Sequence, residues 1–152
     1  MSHLFTIWYG NQNASLVIER LKKNGVTCLV DVRSSPYSKW QMTLNKDKFQ
    51  KSLEQAGLSY IYAWKYLWGL DKNNEKPEWQ VWIDRLKKII TDNPQNNYCI
   101  MCAEFNYREC HRYYWISKDL QDDVEITHIL KDGTAEPHSK ILPPPAETIS
   151  LF

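Results

Sequence analysis

Apolar residues along the chain fall into short dense runs, separated by stretches in which they recur every three or four positions. The dense runs are Phe5–Tyr9 (FTIWY), Thr27–Val32 (TCLVDV), Tyr60–Ala63, Tyr98–Cys102 (YCIMC) and Val124–Leu130 (VEITHIL). Their β-branched and aromatic content predicts five strands. Between them the spacing is helical. Val17, Ile18 and Leu21 share one face of a helix that Asn13 or Ser15 can cap and Gly25 ends. Leu44 before the cap Asn45 and Phe49 after it have hydrophobic-staple spacing, and Leu53 and Ala56 continue that stripe to Gly57. Trp79, Trp82, Ile83, Leu86 and Ile90 mark a third helix. Asn106–Leu120 reads as a fourth, with Asn106 and Glu109 in capping-box spacing. The polar run from Gly69 to Glu78 reads as a surface loop.

Strands alternating with helices predict an α/β fold: a three-layer, mainly parallel sheet of about five strands with helices on both faces, joined by right-handed crossovers. Residues 1–133 read as a single α/β domain, and 134–152, which include Pro143–Pro145, as a proline-containing C-terminal tail. In such sheets ligands lie beyond the carboxyl ends of the strands, which directs attention to the residues that follow each one.

Composition narrows the classes. With 152 residues, 43% of them hydrophobic, the chain can bury a core without disulfide staples. Nineteen basic against eighteen acidic residues leave a formal charge of +1, which excludes a strongly basic duplex-coating protein and an acidic tail domain while leaving room for a local basic pocket. Apolar stretches such as Cys28–Val30 are too short to span a bilayer, and the amino terminus lacks a basic segment followed by a long apolar one. A cytoplasmic protein with no membrane partner is expected. The four cysteines are then reduced thiols. Cys28 lies mid-strand and reads as core. Cys99 and Cys102 have redox-motif spacing, but residues three apart on a strand point to opposite faces.

The stretch Cys102–Arg112 (CAEFNYRECHR) concentrates the chemistry. Cys102 ends a strand, Glu104 follows in the loop, and Cys110, His111 and Arg112 fall early in the next helix. A helix amino terminus favours an anion or a thiolate, so a nucleophilic cysteine with His, Arg and Glu nearby can be built here. The competing reading is structural: Cys110 packs against Phe105, Cys102 is a buried small hydrophobe, and Arg112 pairs with Glu104 or Glu109. Cys102 and Arg108 have the spacing of a cysteine-phosphatase loop, but the intervening AEFNY is bulky, lacks glycine and carries a carboxylate. Zinc on Cys102, Cys110 and His111 with His128 or His138 is disfavoured because adjacent helical residues diverge, and no metal or other cofactor is assigned.

Asp31 and Arg33 share a face at the end of the second strand, either as part of a site or as an ion pair pinning the following SSPYS loop. Tyr9, Gly10 and Asn11 follow the first strand, where Gly10 permits a close backbone approach to a ligand. Most of the aromatic residues fit core stripes. Trp64, Tyr66 and Trp68, just past the third strand, are the exception and are expected to wall the same crevice.

These residues resemble the uncharacterised family "domain of unknown function 488" over nearly the whole chain. The resemblance rests on TIWYGN (Thr6–Asn11), on LVDVRSSPYS (Leu29–Ser38, with Asp31, Arg33, Pro36 and Ser38 as its telling positions), on the helix from NKDKF to AGLSY, on CAEFNYRECHR and on EITHILKDG (Glu125–Gly133). It implies recurring polar positions at Asp31, Arg33, Cys102, Glu104, Cys110, His111 and Arg112, and not at Arg108. Two departures stand out: Trp8 replaces a small glycine of the first-strand motif, and Lys65–Trp68 replaces a more proline- and glycine-like stretch.

Taken together, the expectation is a thiol-dependent enzyme, a hydrolase or transferase, acting on a small anionic metabolite or nucleotide. Cys102 or Cys110 is the nucleophile, His111 the proton carrier, and Glu104 or Asp31 an acid/base or orienting group. Arg33 and Arg112 bind the anion, with Tyr9, Gly10 and Asn11 alongside. The alternatives are a non-catalytic nucleotide or nucleic-acid binding module and an interaction protein that docks through its tail.

Overall fold

The first described element is a strand, β1 (Ser2–Trp8), whose alternate residues enter two different cores. In this computed structural model the described residues are 2–8, 12–33, 37, 39, 42–63, 76–102 and 111–138, with the side chains of 76–79, 81, 82, 102 and 111–115 excepted. Helix α1 (Ala14–Lys23) starts at Asn13, which is extended and accepts from the Leu16 N–H through Oδ1 at 3.1 Å. It ends before Gly25, whose φ of 75° places it in the left-handed region. Strand β2 (Cys28–Asp31) follows, then a short 3₁₀ turn (Met42–Leu44) and α2 (Lys46–Gln55). Asn45 holds the cap position of α2 in an extended conformation but makes no capping bond with its side chain. Leu44 and Phe49, both fully buried, are in staple positions instead.

Strand β3 (Ser59–Tyr62) precedes α3 (Lys76–Asp92), followed by β4 (Tyr98–Cys102), α4 (His111–Leu120), β5 (Val124–Ile129) and β6 (Ala135–Pro137). Strand β1 starts at Ser2, earlier than the Phe5 of the pattern reading. Residues 76–78, read as loop, already belong to α3, because a proline in the first turn loses no hydrogen bond and Pro77 sits there. Of the helix read over 106–120, residues 106–110 lie outside the described set. The segment read as tail contributes β6, which pairs antiparallel with β5 across the Leu130–Thr134 turn. Asp132–Gly133 in that turn is the hairpin signal that could have revealed it.

The six strands lie in the order β3-β2-β4-β1-β5-β6, with all but β6 parallel. From β1 to β3 the chain moves toward one edge; from β3 to β5 it moves back toward the other. Right-handed crossovers put helices of opposite direction on opposite faces, and the cores agree. Val17 and Leu21 of α1 and Phe49 and Leu53 of α2 pack with Ile7, Leu29, Cys99 and Met101. On the other face Ile83, Leu86 and Ile90 of α3 and Ile116 and Leu120 of α4 pack with Leu4, Trp8, Val30, Ile100 and Ile126. The result is the three-layer α/β fold that the alternation predicted.

Candidate functional site

Strand β4 lies between β2 and β1, and its crossover leaves over the face opposite to theirs. In open α/β sheets such a reversal is the place, beyond the carboxyl ends of the strands, where ligands bind. Registers level the three ends: Trp8 pairs with Cys102, Asp31 pairs with Met101, and the Val32 N–H donates to the Met101 carbonyl at 3.1 Å. The chain leaves this edge into Tyr9–Asn11, into Arg33 and beyond, and into 103–110. Tyr9, Gly10, Asn11, Glu104 and Cys110 lie outside the described residues. So do the side chains of Cys102, His111 and Arg112, whose backbones close β4 and open α4.

Asp31 and Arg33 are described in full. Spaced two apart on extended chain, they point to the same face, and that face is covered by α2. Arg33 Nε donates to Asp31 Oδ1 at 2.9 Å and Nη2 donates to Oδ2 at 2.8 Å, a two-pronged pair. Arg33 Nη1 donates to the Leu44 carbonyl at 2.8 Å, and the guanidinium lies 5.8 Å from the Phe49 ring centroid. The Tyr60 hydroxyl donates to Asp31 Oδ2 at 2.6 Å, while the Arg33 backbone N–H donates to Oδ1 at 3.1 Å. Asp31 is 0% and Arg33 2% exposed. The Asp31 carboxylate and the Leu44 carbonyl already hold this guanidinium. Burial, with the Asp31 carboxylate adding to it, drives the Tyr60 hydroxyl far above the usual phenol range.

Arg20 is a buried cation that the pattern reading missed. It sits on the α1 stripe three residues after Val17, and a charged residue on an apolar stripe is the signal that could have found it. Its Nη2 donates to the Trp8 carbonyl at 2.7 Å and its Nη1 to the Leu130 carbonyl at 3.0 Å, tying together the carboxyl ends of β1 and β5. Burial lowers its pKa, an effect that the neighbouring Cys99 thiol opposes. Two guanidiniums thus lie behind the carboxyl edge, each donating to main-chain carbonyls there.

Comparison with known proteins now bears on this frame. A family model described as "Domain of unknown function DUF488" matches residues 13–78. Those residues belong to the DUF488 family. The DUF488 segment runs from the cap of α1 into the start of α3, so it contains Arg20, Asp31, Arg33, Tyr60 and Tyr62, whereas Cys102–Arg112 lies beyond it. No curated protein and no solved structure matches the chain.

The described thiols lie on neighbouring strands, Cys28 in β2 within the DUF488 segment and Cys99 in β4 beyond it. Cys28 and Cys99 are free and buried, on opposite faces. Burial raises Cys28 to about 11 and Cys99 well above the usual thiol range, the Arg20 guanidinium countering only part of the latter. Burial keeps both away from solvent and favours the protonated thiol.

His128 and His138, considered in the sequence only as metal ligands, form a relay at the other end of the sheet. The Thr6 hydroxyl meets His128 Nδ1 at 2.5 Å, His128 Nε2 meets His138 Nδ1 at 3.0 Å, and His138 Nε2 meets Gln121 Oε1 at 3.1 Å. Because Oε1 only accepts, the relay is satisfied with both rings neutral and protonated at Nε2. Burial, then His138, lowers His128 to about 3. Gln121 and His138 border a cleft of about 330 Å³ with Asp122, Glu125 and Pro137, at the β5–β6 edge of the sheet. Among the described residues no three His, Cys, Asp or Glu side chains are grouped to hold a metal ion, and no helix is long and apolar enough to cross a membrane.

Proposed function

We propose that the protein is a thiol-dependent enzyme of the hydrolase or transferase type, acting in the cytoplasm on a small anionic substrate held at the carboxyl ends of β1, β4 and β2. The observation that carries the reading is the strand order: β4 ends between two neighbours whose crossovers leave over the opposite face, and Cys102 is its last residue. Eight residues later Cys110 precedes α4, whose amino terminus carries the partial positive charge that lowers a thiol pKa. Cys102 or Cys110 attacks the substrate, His111 carries the proton to the leaving group, and Arg112 and the helix start hold the anion. Glu104 acts as acid/base. Tyr9, Gly10 and Asn11 border the substrate from the end of β1.

Asp31 and Arg33 take a different part from the one their types invite. Fully engaged with each other, Tyr60 and Leu44, they are positioning residues that hold the end of β2 against β4. Cys28 and Cys99 are buried in the two cores, which favours Cys102 or Cys110 as the nucleophile.

Site-mapped alkylation of the reduced protein from pH 5 to 9, read by mass spectrometry, tests this. Fast modification of Cys102 or Cys110 at a pH well below an ordinary thiol pKa of about 8.5 is expected, slowed by inorganic phosphate. Four thiols that stay inert until unfolding would remove the nucleophile and with it the enzyme reading.

A further inference from the structure

Among the described residues the sheet has two outer edges, and they are built differently. β6 closes one of them with three residues, of which Glu136 carries a charge and Pro137 has no N–H to offer. Charge, proline and shortness are devices that keep an edge from pairing with another chain. β3 closes the other with Ser59, Tyr60, Ile61 and Tyr62, which include neither a charge nor a proline. The Ser59 N–H donates to the Thr27 carbonyl at 2.9 Å and the Ala63 N–H to the Asp31 carbonyl at 2.8 Å. Main-chain direction alternates along a strand, so the N–H and C=O groups of Tyr60 and Tyr62 point away from β2. No described residue bonds to them there. The side chains alternate as well. Tyr60 and Tyr62 face α2, with their hydroxyls bonded to Asp31 and to the Arg33 carbonyl and their rings near Phe49 and Lys46. Ile61 faces the other way and is 41% exposed, although it is apolar and in mid-strand. Two anchored tyrosines thus hold in place an edge whose outer side is open. Beyond Ala63 the chain enters Trp64, Tyr66 and Trp68, outside the described residues.

We propose that β3 pairs antiparallel with β3 of a second copy of the chain, about a two-fold axis at Ile61, so that one sheet runs through both copies. In this register Tyr60 lies opposite the partner's Tyr62, and each such pair exchanges both of its N–H···O=C bonds. Ile61 meets the partner's Ile61 in the closer, non-hydrogen-bonded position, which takes both side chains out of water. A second copy is the occupant because the strand is complementary to itself. Its outward groups sit one residue to either side of Ile61, so a two-fold axis there satisfies all of them at once. A net charge of +1 leaves little repulsion between copies, and the paired strands bring no charge of their own. A pair of four-residue strands buries less than the roughly 1,200 Å² at which standard interfaces begin, so the dimer is reversible and depends on concentration.

Sedimentation equilibrium of the reduced full chain over a wide range of concentrations tests this. The weight-average mass is expected to climb with concentration toward twice that of the chain. Ile61→Lys and Ile61→Glu each set like charges opposite one another and should weaken the dimer at least about tenfold. An equimolar mixture of the two should restore it, since only a contact of position 61 with itself brings the opposite charges together. Leu16→Lys, which removes a similarly exposed apolar side chain (45%) from α1, should leave association within about twofold of wild type. Urea midpoints close to wild type separate loss of the contact from loss of the fold. A wild-type chain that stays monomeric throughout overturns the proposal. Association that survives in Ile61→Lys, or that falls equally in Leu16→Lys, places the contact elsewhere and overturns it as well. Folded Lys and Glu variants that fail to associate when mixed reject the two-fold register at Ile61.

Discussion

A carboxylate and a guanidinium two positions apart on an extended strand necessarily face the same way, and at the end of β2 that direction leads under α2. What results is a closed unit of Asp31, Arg33, Tyr60 and the Leu44 carbonyl. Breaking one side of a buried pair strands a charge away from water, so Asp31→Asn and Arg33→Met are each expected to cost about 3–5 kcal/mol. Replacing both with apolar residues should cost less than the sum of the two. Urea unfolding of the four proteins measures this; additive losses would mean that the pair is not a unit. Tyr60→Phe removes one bond to an ionised acceptor and should cost about 1.5–3 kcal/mol. The shared face was legible from the spacing of Asp31 and Arg33. That the face was closed was not, because Leu44, Phe49 and Tyr60 come from other elements and are brought there only by folding.

Among the elements, the β5–β6 hairpin depends most on local chemistry. Asp132 Oδ1 accepts from the Thr134 N–H at 2.9 Å and from its hydroxyl at 2.6 Å, and Gly133 turns the chain at φ 90°. A Cβ on Gly133 would meet nothing closer than Lys23 Nζ at 3.6 Å, so Gly133→Ala pays in backbone strain alone, about 1–2 kcal/mol. Gly57→Ala, at φ 85° with open space around it, should cost a similar amount in thermal unfolding. A much larger loss at Gly133 alone would show that packing on α1 matters more than the turn.

The histidine relay gives the same hairpin a pH dependence. His128 is lowered to about 3 in the folded protein, against an unfolded value near 6.5, so its neutral form is the native one. Its contribution is complete above about pH 6.5 and declines as the pH falls from there toward 3, at up to about 1.4 kcal/mol per pH unit. His138, lowered by burial as well, acts in the same direction. Subtracting the urea-unfolding profile of His128→Gln from that of the wild type between pH 4 and 7 isolates the effect. Parallel profiles would refute it.

At the scale of the whole molecule, β6 covers the edge that β5 would otherwise expose with His128 in it. Ending the chain after Leu130 should therefore lower the unfolding temperature and promote association through the bare strand, whereas ending it after His138 should leave both close to wild type. Scanning calorimetry with light scattering tells the two apart; equal behaviour would show that the β5–β6 pairing along this edge adds nothing. Alternation of apolar runs and helical stripes determined by itself the number of parallel strands, the helices between them and the apolar face that each described element buries, because side-chain periodicity is a local property of the backbone. Trp8, Cys28 and Phe49 are buried as their positions in those stripes require. Strand order, by contrast, is decided by which buried faces fit together across the molecule. Only the tertiary structure put β4 between β2 and β1, sealed Asp31 and Arg33 beneath α2, turned Arg20 inward and joined Thr6 to His128 and His138. Each of those contacts links residues far apart in the chain, and no local pattern encodes it.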